Sequence, residues 1–126
     1  MVNNEWLTTF NEMVYGKGDD NMSDKLPKSI RVGSVDYNVK EVADLHDSGQ
    51  ELLGWVTYHD ASIRIDSDTS EGRKKNVLIH EILHAMLYEA GYDEQDEDLV
   101  RRLGNVLSQV LIDNDFGFMR KKETVI

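Results

Sequence analysis

Apolar and polar positions change their period along this chain, and the changes divide it into segments. Trp6, Leu7, Phe10, Met13 and Val14 recur at helical spacing and predict a short amphipathic helix. It gives way to the polar stretch GKGDDNMSD, Gly16 to Asp24, which reads as a linker. From Leu26 the period becomes two. Ile30 and Val32 alternate on one arm and Val35, Tyr37 and Val39 on the next, with Gly33-Ser34 between them, the signature of a tight hairpin. After a polar interval, ADLHDSGQE, a second pair of strands, Trp55 to His59 and Ser62 to Asp66, reverses around Asp60-Ala61. Four short strands of this kind predict a small, mainly antiparallel sheet.

The remainder has helical periodicity. TSEGRKKNVLIHEILHAMLYEAGY offers Thr69 or Ser70 as N-cap and stops near Gly91, a residue suited to a helix C-terminus. EQDEDLVRRLGNVLSQVLIDND then sets Leu99, Val100, Leu103, Val106, Leu107, Val110 and Leu111 on one broad face. Its acidic residues crowd the first turn, where the helix dipole favours them. Strands followed by helices give an α+β class. The predicted organisation is an N-terminal helix and linker over 1–23 and one folded domain over 24–126, and 126 residues suit a single core.

The most apolar helix carries His80, Glu81 and His84 at its centre, between Val77-Leu78-Ile79 and Ala85-Met86-Leu87. Burying two imidazoles and a carboxylate there is costly unless something compensates. The spacing H-E-x-x-H suggests a metal. One helical turn separates His80 from His84, so both rings project from one face and can meet one tetrahedral zinc ion. Glu81 is turned about 100° from His80, within reach of a water on that zinc without being a ligand. Zinc lowers the pKa of such a water to about 7, and a carboxylate beside it can take the proton. A catalytic zinc usually has three protein ligands. No third histidine follows at close spacing, and His46 and His59 read as surface residues. The acidic turn DED supplies the alternative. Glu97 is the choice for its longer side chain, one turn before Val100 and Arg101, while helical phase equally allows Asp96, and Asp98 is the remaining acid of the cluster.

Composition narrows the chemistry further. The chain has no cysteine, so disulfides and thiolate metal sites are excluded. A net charge of −10 argues against general nucleic-acid binding, which draws on Lys and Arg. The two RKK runs, Arg73 to Lys75 and Arg120 to Lys122, read as solvated surface. Neither a secretory leader nor a run long enough to cross a membrane is visible, so a cytoplasmic protein is expected.

Taken in order, IRVGSVDYNVKEV, GWVTYHDASIRID, LIHEILHAMLYEAG and EDLVRRLGNVLSQVLIDND resemble small phage- and prophage-encoded zinc metallopeptidases. Those are related to the ImmA/IrrE-type proteins among the gluzincin-like zincins. The resemblance covers roughly Leu26 to Phe116. It implies a minimal zincin, with His80 and His84 as metal ligands, Glu81 as catalytic glutamate and Glu97 as the acidic third ligand. The expected function is therefore zinc-dependent peptide-bond hydrolysis, in the host cytosol if the chain is phage-encoded. By analogy with zincins a peptide or protein substrate would lie extended along an exposed sheet edge, the SIRID strand being the choice. Tyr58, His59 and Arg101 are candidates for the oxyanion-binding group, none of them assigned. The competing expectation is a zinc-bearing interaction or phage-assembly module of the same fold with little or no hydrolysis. Glu81 discriminates the two, because a structural zinc has no need of an unligated carboxylate.

Overall fold

A computed structural model describes residues 25–120, and the amphipathic segment Trp6 to Val14 and the linker after it lie outside the described residues. The described chain runs β1 (Ser29–Val32), β2 (Val35–Val42), β3 (His46–Asp47), β4 (Gln50–Glu51), β5 (Gly54–Thr57), β6 (Ser62–Asp66), α1 (Glu71–Glu89), α2 (Glu97–Asp113) and α3 (Gly117–Arg120). The architecture is α+β. Four strands form one mixed sheet in the order β1-β2-β6-β5, and β3 pairs with β4 in a separate hairpin.

The first hairpin forms where the alternation predicts it, with Val32 opposite Val35 and Gly33 at φ 62° in the turn. The second hairpin also forms, Thr57 opposite Ser62. What the alternation does not give is how the two hairpins join. β6 docks parallel to β2, Val39 beside Ile63 and Glu41 beside Ile65, so the central pairing is parallel and the outer two antiparallel. Burial explains the choice. Ser62, Ile63, Ile65 and Asp66 of β6 are all buried, whereas β5 begins with a glycine and exposes Trp55. The strand that is covered on both faces goes to the middle. This corrects the expectation for SIRID, which is an interior strand and has no free edge; among the described residues the edges are β1 and β5. The polar interval ADLHDSGQE contains the β3–β4 hairpin. Ser48 and Gly49 both have positive φ, 55° and 79°, the pattern of a two-residue type I′ turn.

Helix α1 lies between the sheet and α2. Its sheet side contributes Val77, Leu78 and Ala85 to a core shared with Val32, Tyr37, Ile63 and Ile65. Lys74 and Glu81 occupy the same stripe and are buried with it. Tyr37, wholly buried, donates its hydroxyl to Glu89 Oε2 at 2.6 Å and ties β2 to the end of α1. That end is closed by a Schellman motif. Gly91, at φ 107°, donates to the Tyr88 carbonyl and Tyr92 to the Leu87 carbonyl.

The opposite side of α1 meets α2 through small and polar groups. Ser108 donates to Asn76 Oδ1 at 2.7 Å in a buried contact, and a Cβ placed on Gly104 would lie 3.7 Å from the His80 Cα. The inward stripe of α2 is therefore Val100, Gly104 and Ser108, one residue per turn. Leu99, Leu103, Val106 and Leu111 are exposed, so the broad apolar face splits between the helix contact and the surface.

Lys74 reaches across to Glu41 Oε1 at 2.7 Å and along the helix to Glu71 Oε1 at 3.1 Å. The bond to Glu41 raises its pKa against the opposing effect of burial. A raised lysine pKa stabilises the fold below the ordinary lysine value, and that contribution is lost as pH climbs through the raised one. Glu41 is 43% exposed, so the pair ranks between a surface pair, worth up to about 1 kcal/mol, and a stranded buried charge, costing about 3–5 kcal/mol. Lys74→Met is expected to lower the unfolding free energy by roughly 1–3 kcal/mol at neutral pH. Urea denaturation measures this, and the deficit should shrink as both proteins are taken to strongly alkaline pH.

Candidate metal centre

Two neighbouring positions of α1 serve two different surfaces. Glu81 lies on the stripe that faces the sheet, while His80, about 100° around the helix, faces α2. His84 follows one turn after His80, and the two rings sit edge to face with centroids 5.0 Å apart. Helix α2 begins opposite them. Asp96 is its N-cap, its side chain accepting from the Asp98 and Leu99 amides at 3.0 and 3.4 Å. Asp98 is engaged by Arg101 and Arg102. Glu97 remains, and its carboxylate spans both histidines, Oε1 at 2.7 Å from His80 Nε2 and Oε2 at 2.9 Å from His84 Nε2.

His80, His84 and Glu97 thus form a group whose potential ligand atoms lie within 4.8 Å of one another. Burial lowers the His80 pKa against the opposing influence of Glu97, favouring the neutral ring with a free lone pair. The donor set, two imidazoles and a carboxylate without a thiolate, suits zinc. Glu97 is 69% exposed on its side chain, so the group opens to solvent on its α2 side.

Glu81 belongs to the same site in a different way. It is 7% exposed, and among the described residues no donor reaches its carboxylate. Desolvation, with a smaller contribution from the negative charge of Glu97, pushes its pKa up to about 8. A divalent cation on the neighbouring triad would act in the opposite direction, favouring the ionised carboxylate. The position depends on Gly54 at the start of β5. A Cβ there would fall 2.5 Å from Val77 Cγ1 and 3.1 Å from Glu81 Cγ and Oε2.

A cleft of about 560 Å³ opens between β4, the start of β5 and the two helices, lined by His80, Glu81, Glu97, Gly54, Leu53 and Arg101 among others. Of the three oxyanion candidates only Arg101 lines it, with its guanidinium already paired to Asp98. Tyr58 stacks on Tyr88 at 4.0 Å and directs its hydroxyl to Gln95. His59 is exposed in the β5–β6 turn, and His46 is exposed in β3 with Nδ1 2.8 Å from the Asp44 carbonyl oxygen; neither joins the triad. The residue that sequence reasoning passed over is Gln95, whose Oε1 lies against His84 Nδ1 at 2.5 Å. Nothing in YDEQDED distinguishes it, because its role depends on the loop that turns α1 into α2.

No protein-family model, curated protein or solved structure matches the chain. Among the described residues no helix is long and apolar enough to cross a membrane.

Gly54→Ala is expected to destabilise the fold by about 1–3 kcal/mol, as an overpacked contact does. Val77 is β-branched and buried, so it has few rotamers to retreat into. Val77→Ala in the same chain should recover part of the loss. Denaturation of both single variants and the double variant measures this, and strictly additive losses would contradict the contact.

Proposed function

We propose that the chain is a zinc-dependent peptide-bond hydrolase in which His80, His84 and Glu97 hold the metal and Glu81 is the general base. One observation carries the reading. A buried carboxylate with no donor among the described residues stands beside a three-ligand group, on the wall of an open cleft. A metal held only for stability is served by its ligands, and an adjoining buried carboxylate adds a desolvation cost with no return. A base that must take a proton inside the cleft has to be there.

Zinc, when bound, supplies Lewis-acid chemistry, polarising a peptide carbonyl and acidifying a water molecule. The residues of the chain do the rest. Glu81 removes a proton from the attacking water and can return it to the leaving amine. Its fixed place under Gly54 spares the reorganisation that a mobile side chain would need. Among the described residues β5 pairs on one side only, with β6, and it begins at the cleft. An extended substrate would add along its open edge by backbone hydrogen bonds, which brings successive peptide groups past Glu81. The association with phage metallopeptidases rests on the sequence resemblance.

The test joins metal content to cleavage. Wild type is expected to bind one zinc per chain by elemental analysis and to cut members of an unbiased peptide library. Glu81→Gln should keep its zinc and lose about 10²–10⁴-fold in turnover. Glu97→Ala should lose zinc, whereas Asp98→Ala should keep it. Stoichiometric zinc with no cleavage by wild type would replace the peptidase with a metal-bearing interaction module. A wild type that binds no zinc would reduce the triad to an ion-pair network.

A further inference from the structure

We infer that Gln95 is a positioning residue that fixes the tautomer of His84, and so decides whether Nε2, the ring nitrogen that faces Glu97, carries a lone pair or a proton. The inference rests on the metal-site reading above and assigns a new part of it.

The argument starts from a group that can act in one sense only. The Tyr92 carbonyl accepts hydrogen bonds and cannot donate, and Gln95 Nε2 lies 3.2 Å from it. That contact fixes the amide orientation, with the NH₂ toward Tyr92 and Oε1 pointing away. Oε1 meets His84 Nδ1 and, at 3.4 Å, the Tyr58 hydroxyl. An amide oxygen has no hydrogen to give, so both neighbours must donate to it. His84 therefore carries its proton on Nδ1. A neutral imidazole has one N–H, which leaves Nε2 with a lone pair. Nε2 is the nitrogen that stands 2.9 Å from Glu97 Oε2. With the ring neutral, two acceptor atoms then face each other at hydrogen-bond distance, an arrangement relieved by a second proton on Nε2 or by a cation bound to both.

The loop holds Gln95 from both sides. Tyr92 is anchored by its backbone N–H, which donates to the Leu87 carbonyl at the end of α1, and Asp96, the next residue after Gln95, caps α2. The segment that reverses the chain thus carries the partner of one ligand and, two residues later, the ligand Glu97 itself. Partners of this kind orient metal-binding histidines, and their loss typically weakens metal affinity about 10–100-fold.

The experiment reads the tautomer directly. Long-range proton–nitrogen NMR correlation on chelator-stripped protein, at a pH where the ring is neutral, should show Nδ1–H at His84 in wild type. Gln95→Glu keeps an acceptor and should keep the tautomer. Gln95→Leu removes the acceptor and should shift His84 toward Nε2–H, with backbone amide spectra confirming that the variant stays folded. Zinc titration against a chromophoric chelator should then weaken about 10–100-fold in Gln95→Leu and stay within a few-fold in Gln95→Glu. Tyr58→Phe should leave the tautomer unchanged. An Nε2–H tautomer in wild type, or an unchanged tautomer in Gln95→Leu, overturns the inference even if zinc binds. A tautomer shift in a protein that binds no zinc upholds Gln95 and sinks the metal reading instead.

Discussion

A carboxylate held out of water, with no hydrogen-bond donor to meet it among the described residues, sets the terms for the rest of this structure. Glu81 occupies a position on the sheet-facing stripe of α1 where an apolar residue would cost nothing. Its desolvation is severe enough to push its pKa up to about 8. Gly54 at the head of β5 leaves it room: a Cβ there would crowd its carboxylate at 3.1 Å and clash with Val77 at 2.5 Å. A glycine there weakens the strand that bears it, and the sheet accommodates this by placing β5 at its edge and giving the centre to β6. Strand order, edge position and the cleft beside β5 are thus consistent with one buried side chain.

The second organising element is α1 itself, which meets three surfaces at once. Val77, Leu78 and Ala85 bind the sheet, Asn76 and His80 meet α2, and Glu81 looks toward the head of β5. Small inward residues on α2, Gly104 and Ser108, let the helices approach closely enough for the start of α2 to stand over the histidines. From Gly91 to Glu97 the chain ends one helix, supplies Gln95, caps the next helix and delivers a carboxylate to both imidazoles. Those seven residues bring the triad together, because no single helix can place a third ligand opposite its own pair.

Much of this is legible in the sequence, for identifiable reasons. Helical spacing alone puts His80 and His84 on one face, and a two-period alternation alone gives both hairpins. The choice of Glu97 over Asp96 follows the side-chain length, and capping explains it physically: an N-cap aspartate is turned back to its own helix. Features that depend on long-range assembly are less visible. The position of SIRID in the sheet depends on which hairpin strand is covered on both faces. Local alternation does not encode that. The β3–β4 hairpin has no apolar alternation to mark it, because its strands are two residues each and wholly polar, although Ser48-Gly49 is a turn signal. Gln95 carries no local signal for a stronger reason, since its partners come from the β5–β6 turn, α1 and its own loop.

The claim on which everything functional depends is that His80, His84 and Glu97 converge on one metal ion, with a coordination position left open toward Glu81. Anomalous diffraction at the zinc edge from crystals of the zinc-loaded protein tests it most directly. The account predicts one strong anomalous peak, about 2.0–2.2 Å from Nε2 of each histidine and from a Glu97 oxygen, with no protein atom in the fourth position. A peak elsewhere, a fourth side chain closing the site, or Glu97 still paired with both imidazoles in zinc-soaked crystals would contradict it.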